Sequence, residues 1–273
     1  MKKTFLATLL LTPMILTACS IKVTDGESDG KVLTKTLKVK NFNNINLIGS
    51  ADVEFSQADT YKVELIATKE GMEGVQTTVK DSVLTILREN SGKTKNGTIQ
   101  LKMSRSGYKL RISAPSLKAV NVSGSGEFYA KTPIKAETFD ASVNGSGDLH
   151  LGKVTADRIS VGVSGSGDAE IKAFSKTKAD FRVTGSGDIE ADVTGCADVT
   201  ANVTGSGDID LDLNNCSSFT TSTTGSGDIE AELVDCGNVN ASTSGSGNIT
   251  LKGNAKSVNA NGKGVNTKEL ITK

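Results

Sequence analysis

The triplet Gly-Ser-Gly begins at Gly124, Gly145, Gly165, Gly185, Gly205, Gly225 and Gly245; the first interval is 21 residues and the other five are 20. No other property constrains the fold as much, because every unit must take the same local structure and meet its neighbours in the same way. Within a unit the side chains alternate. Ile189, Ala191 and Val193 alternate with Asp188, Glu190 and Asp192; past Gly195, Val199, Ala201 and Val203 alternate with Asp198, Thr200 and Asn202. A period of two marks strands with one buried face, so each unit holds two short strands and two turns. Such a unit is too short for a propeller blade and lacks the leucine-rich pattern. Stacking each strand in parallel on its copy one unit on, about 4.8 Å away, pairs the backbone and joins the apolar faces into one core. The expected fold is all-β, a right-handed parallel β-helix of about 20-residue coils.

Composition agrees. Aromatic residues are 4% of the 273, there is no Trp, and Gly numbers 29 against 3 Pro. A narrow core of Val, Ile, Leu and Ala between many tight turns fits these values. The regular repeats span about 117–262. A weaker echo, Gly49-Ser50-Ala51-Asp52, lies upstream, and 32–115 is less regular but strand-rich, with alternation in "KVELIAT", "SVLTILREN", "TIQLKM" and "YKLRIS". These segments are expected to form irregular first coils or a small sheet over the helix end, within one domain covering 31–273. Lys252, Lys256, Lys263, Lys268 and Lys273 suit a charged C-terminal end.

Residues 1–18 read as a signal peptide: Lys2 and Lys3 precede an apolar run, Phe5 to Leu16, too short to span a bilayer comfortably. Leu16-Thr17-Ala18-Cys19 resembles a bacterial lipobox, which makes Cys19 the acylated first residue of the mature protein. Its acyl chains would supply a stable membrane anchor, and Ser20 in place of Asp resembles outer-membrane sorting. Residues 19–30 read as a flexible tether.

Several side-chain rows could carry function. Glu127, Asp148, Asp168, Asp188, Asp208, Asp228 and Asn248 share one corner position. Stacked carboxylates repel by about 1 kcal/mol in water and about 3–4 kcal/mol at an effective dielectric of 20. Turn-capping by backbone amides and calcium binding at Asp168, Asp188, Asp208 and Asp228 are the two readings of this column; no other cofactor is expected. On the outward face of the first strand, Glu170, Glu190, Asp210 and Glu230 form one row and Asp192, Asp212 and Glu232 a second. From Val183 to Leu251 eleven acidic residues occur with no Lys or Arg, so the zero net charge conceals an acidic patch. It is either a solvated face or a surface for cations or a basic partner. The second strand's outward face, with Thr200, Thr220 and Asn240, is neutral. Cys196, Cys216 and Cys236 lie 20 apart, lack paired metal-ligand spacing, and read as buried and free or as one stacked disulfide.

Catalytic signals are poor. His150, the single His, lacks an evident orienting partner and reads as a surface residue. A strained nucleophile is needed once, which argues against the seven Gly-Ser-Gly serines. With no basic excess, nucleic acid is not an expected partner.

The segments "FNNINLIGSADVEF" (42–55), "YKVELIA" (61–67) and "LKMSRSGYKLRISAPSLKAVNVSGSGEF" (101–128), with the Gly-Ser-Gly-Asp repeats that follow, resemble the putative auto-transporter adhesin, head GIN domain family of secreted and lipid-anchored bacterial proteins. The resemblance covers nearly all of the mature chain and implies a right-handed β-helix; it supplies no catalytic residues. The function expected is a non-catalytic, adhesin-like binding or structural module of the cell envelope, held on the membrane through Cys19, with an envelope protein or glycan as ligand. A polysaccharide-active enzyme with its site near the N-terminal region is the alternative.

Overall fold

A computed structural model of the chain describes residues 30–88 and 107–272, with the backbone of short strands at 22–23, 92–95 and 98–101. The signal peptide and the Cys19 lipobox lie outside the described residues, as does most of the tether. Among the described residues no helix is long and apolar enough to cross a membrane. The chain divides into two compact units, the larger being 27–89 with 104–273. The smaller contains a three-stranded sheet in which Thr98–Leu101 pairs in parallel with Lys22–Val23 and antiparallel with Gly92–Lys95.

The larger unit is a β-solenoid of about eight turns. Each coil contributes a strand to each of two parallel stacks. In one, Asp198–Gly205 pairs with Ser218–Gly225; in the other, Ile189–Thr194 pairs with Ile209–Asn214. The register is the sequence period: Gly165, Gly185, Gly205, Gly225 and Gly245 are successive partners. The 21-residue interval keeps this register because Tyr129 pairs 21 residues on with His150, whereas Ile134 pairs 20 on with Val154. The extra residue is therefore taken up between Tyr129 and Ile134, around Pro133.

Stacking explains both glycines of each triplet. The first has positive φ (+131° at Gly205), and a Cβ there would lie 2.3 Å from the Gly185 carbonyl oxygen. The third, Gly207, has ordinary φ but still less room: a Cβ would sit 2.0 Å from the Gly187 carbonyl oxygen and 2.9 Å from Val183 Cγ1. The intervening Ser206 and Gly207 amides both donate to the Gly185 carbonyl, at 2.8 and 3.1 Å. The first glycine thus meets a torsional demand and the third a purely steric one.

The echo at 49–52 is the first coil, and its departure from the motif has the same cause. Asn44–Gly49 pairs with Ala119–Gly124, so Gly124 and Gly126 stack on Gly49 and Ala51. A Cβ at Gly49 would meet nothing within 4 Å, because no triplet corner precedes it, and Ala51 is tolerated. Beyond this coil lies a cap, and it combines both sequence expectations. Val83–Arg88 continues one stack in parallel and forms a hairpin with Val75–Lys80. Tyr108–Ala114 continues the other stack and pairs antiparallel with Lys62–Thr68, which in turn pairs with Val32–Leu37. The antiparallel additions stop the stack at this end.

The inward residues of the alternation are buried, including Ile189, Val193, Val199, Leu211 and Leu233. Phe139, Phe181 and Phe219 supply the bulk. Thr221 and Thr223 also face inward and are 1% exposed. Thr223 Oγ1 donates to the Gly227 carbonyl at 2.7 Å, while Thr221 Oγ1 has no hydrogen-bond partner. At the other end, Val265–Thr272 pairs in parallel with Ile249–Asn261.

Candidate functional site

The acidic rows are brought together as the period requires. Glu170, Glu190, Asp210 and Glu230 are register partners in succession, and so are Asp192, Asp212 and Glu232. Their strands are held flat by the buried Ile189/Ile209/Ile229 and Ala191/Leu211/Ala231 columns on the reverse side, which turns every second side chain to solvent. Glu190, Asp192, Asp210, Asp212, Glu230 and Glu232 line a shallow depression of about 270 Å³ floored by Ala191 and Leu211. Glu170 lies one coil beyond it, with His150 Nδ1 3.7 Å from its Oε2.

Two lysines close the face. Lys172 Nζ is 3.1 Å from Asp192 Oδ2, and Lys252 pairs with Glu230. Both ammonium groups are held above their ordinary range, chiefly by the hydrogen bond to that carboxylate. Lys252 therefore belongs to the acidic face as well as to the charged C-terminal end. Lys172 could have been found by counting 20 residues back from Asp192. Six carboxylates against two lysines leave the depression strongly negative, and among the described residues no Lys or Arg forms an ion pair with Asp210 or Asp212.

Burial pushes the Asp210 carboxyl up, and the charges of Glu230, Asp212 and Asp208 add to it, against Lys252. The folded state therefore holds this proton more tightly than the unfolded chain. Its contribution favours folding below the ordinary value of 3.8 and is lost as pH rises through the raised folded value. Asp210→Asn is accordingly expected to raise the thermal midpoint at pH 7, with the gain vanishing below pH 3.8. Melting curves of both proteins across this range check it.

The corner column engages backbone amides one coil away. The Asp148, Asp168, Asp188, Asp208 and Asp228 Oδ1 atoms accept from the backbone N–H of residues 168, 188, 208, 228 and 248, at 2.7–2.9 Å. Each bond offsets part of the repulsion along the column. Among the described residues no three His, Cys, Asp or Glu side chains are grouped so as to hold a metal ion.

His150 stacks on Tyr129 with centroids 4.6 Å apart. Tyr129 donates to the Glu127 carboxylate, which pushes its phenol up to about 12. In the N-terminal part, Glu54 is ion-paired with Lys109 (2.9 Å), Lys131 (3.3 Å) and Arg111 (3.5 Å). Lys109 above all holds its carboxyl below the ordinary range, against the effect of burial. A general acid needs the opposite shift. A shallow depression of about 460 Å³ on the other stack's face is lined largely by neutral groups, including Asn44, Asn46, Asn121 and Ser142, with Asp140 as its acidic member. Cys196, Cys216 and Cys236 are free and buried at the second corner.

With this geometry in view, comparison with known proteins is informative about family and fold. A crystal structure of a putative lipid binding protein from Parabacteroides distasonis is 23% identical, with 92% of this chain and all of that chain covered at a TM-score of 0.75. A putative adhesin from the same species is 24% identical over 89% of this chain and 98% of its own, with a TM-score of 0.71. One from Parabacteroides merdae is 22% identical over 92% and 99%, with a TM-score of 0.68. At these identities the likeness establishes the shared fold. No curated protein matches the chain. The family described as putative auto-transporter adhesin, head GIN domain, matches residues 41–215 and 212–272, spanning the first coil, the cap apart from Val32–Leu37, and every repeat, and the chain belongs to that family.

Proposed function

We propose that this chain is a non-catalytic binding module of the bacterial cell envelope, adhesin-like in action, which meets a basic partner protein through its acidic rows. The observation that carries this reading is the convergence of six carboxylates, four of them (Glu190, Asp210, Asp212 and Glu232) in no ion pair with Lys or Arg among the described residues, on one rigid face. A surface with this charge attracts cationic segments and repels acidic glycans. Its period of about 4.8 Å per coil repeats the same contact along the rod. Acylation at Cys19, after removal of residues 1–18, would hold the module on the outer membrane, with 19–30 as the tether that lets the face reach its partner.

The test uses an oligolysine peptide as probe and envelope extract as the source of the natural partner. The triple variant Glu190→Ala, Asp210→Ala, Glu230→Ala is expected to bind the probe about tenfold more weakly, since each exposed charge pair contributes roughly 0.2–1 kcal/mol. It should also lose the extract partner. Wild-type binding should fall with added salt and survive a calcium chelator. Equal binding by wild type and variant would reject the acidic face as the contact surface.

A further inference from the structure

The second corner of the solenoid holds a column of small buried side chains: Ala156 pairs with Ser175, and Cys236 with Ala255. Ser175 is 2% exposed, Cys196 2%, Cys216 4%, Cys236 5% and Ala255 1%. Alanine and serine fill the same position in other coils, so space-filling alone does not require sulfur there. The three cysteines are not equivalent. Cys196 turns its S–H to the Asp198 carbonyl at 3.2 Å. Cys216 turns its S–H to Cys236, with the two sulfurs 2.7 Å apart. Adjacent coils bring their Cα atoms to about 4.8 Å, inside the range a disulfide spans without backbone movement.

We infer that Cys216 and Cys236 are an oxidation site, forming a disulfide that staples two consecutive coils while Cys196 stays a thiol. The donated S–H of Cys216 favours the thiolate at Cys236, against the opposing effect of burial, and holds Cys216 itself protonated. This assigns the roles. With a peroxide as oxidant, the Cys236 sulfur attacks one peroxide oxygen, giving a sulfenic acid and one water. The Cys216 sulfur then displaces the sulfenic oxygen as a second water, and the S–S bond forms. Two thiols have been oxidised and one peroxide reduced. Such a bond links residues 20 apart, Cys216 two residues past the end of Ile209–Asn214, which carries Asp210 and Asp212, and Cys236 within Ile229–Gly245, which carries Glu230 and Glu232, so it fixes the spacing of the two coils most concerned in the acidic face.

The full chain is treated with hydrogen peroxide, denatured in the presence of a maleimide, digested and mapped by mass spectrometry. The expected product is a Cys216–Cys236 cross-linked peptide pair that has lost two hydrogens, with Cys196 carrying the maleimide. Cys196→Ser should cross-link as the wild type does. Cys216→Ser should give no cross-link and leave Cys236 oxidised to the sulfinic or sulfonic acid. Circular dichroism confirms that both variants are folded. Three maleimide-labelled cysteines after treatment, a cross-link through Cys196, or sulfinic acid at Cys236 in the wild type without a cross-link would each overturn the assignment.

Discussion

Replacing Gly207 by Ala is expected to destabilise the protein by about 3 kcal/mol or more, although φ at this residue is one that alanine adopts freely. The added methyl would sit 2.0 Å from the Gly187 carbonyl oxygen, and neither atom can yield alone. That carbonyl belongs to a corner fixed by stacking, and Gly207 N–H is itself committed to Gly185 O at 3.1 Å. Relief requires the two coils to part at this corner, which breaks amide bonds on both sides of it. Gly195→Ala is the control. Its φ is +73°, but a Cβ there would meet nothing within 4 Å, so only the left-handed torsion is penalised, by about 1–2 kcal/mol. Because a solenoid's stability is a sum over neighbouring coils, Gly207→Ala should lower amide-exchange protection chiefly in the coils flanking residues 187 and 207. Equal losses for the two variants in denaturant titrations would mean that corner stacking is not what selects glycine.

Phe181→Ala should cost about 3–5 kcal/mol. Phe181 is 1% exposed and stands between Val161 and Ala201 in the column of its register partners. It is the one large side chain among these three. The backbone around it is pinned by inter-coil bonds on both sides, so the site cannot collapse to fill the void, which is the condition under which large-to-small changes cost most. An equilibrium unfolding series on the variant checks this; a loss below about 1 kcal/mol would mean that the interior is loosely packed.

The fold was legible in the sequence to the extent that it is periodic. The seven triplets set the coil length, the alternation assigned the inward face, and the same arithmetic laid the acidic residues in two rows. Local features without a period were not legible. The cap consists of Val32–Leu37, ahead of the first coil, and of strands between residues 57 and 119 that pair partly with the first coil and partly with other cap strands; nothing in "KVELIAT" or "YKLRIS" says which strand is its partner or whether the pairing is parallel. Ala51 in place of glycine looks like decay of the motif until the first coil is seen to have no corner before it. The corner aspartates were readable as capping residues, but not that each bonds to the coil after its own, because that depends on where the amides of neighbouring coils point. The boundary of the acidic face escaped for another reason. Lys172 belongs to a coil whose other outward residues are mixed in charge, so a row followed by the sign of its charges stops short of it, although the 20-residue count places it against Asp192. Likewise a 20-residue spacing treats the three cysteines alike; the Asp198 carbonyl that draws Cys196 aside appears only in three dimensions.

Every coil lies directly on the one before it, and distances along the exposed serine column measure this stacking. Spin labels at Ser146 and, in turn, Ser206, Ser226 and Ser246 replace middle residues of triplets three, four and five coils apart. Dipolar spectroscopy should give separations that grow by about 4.8 Å for each added coil, close to 14, 19 and 24 Å between attachment points. Separations that fail to increase in this order, or that change by unequal steps, would contradict the stacked column and with it the acidic rows.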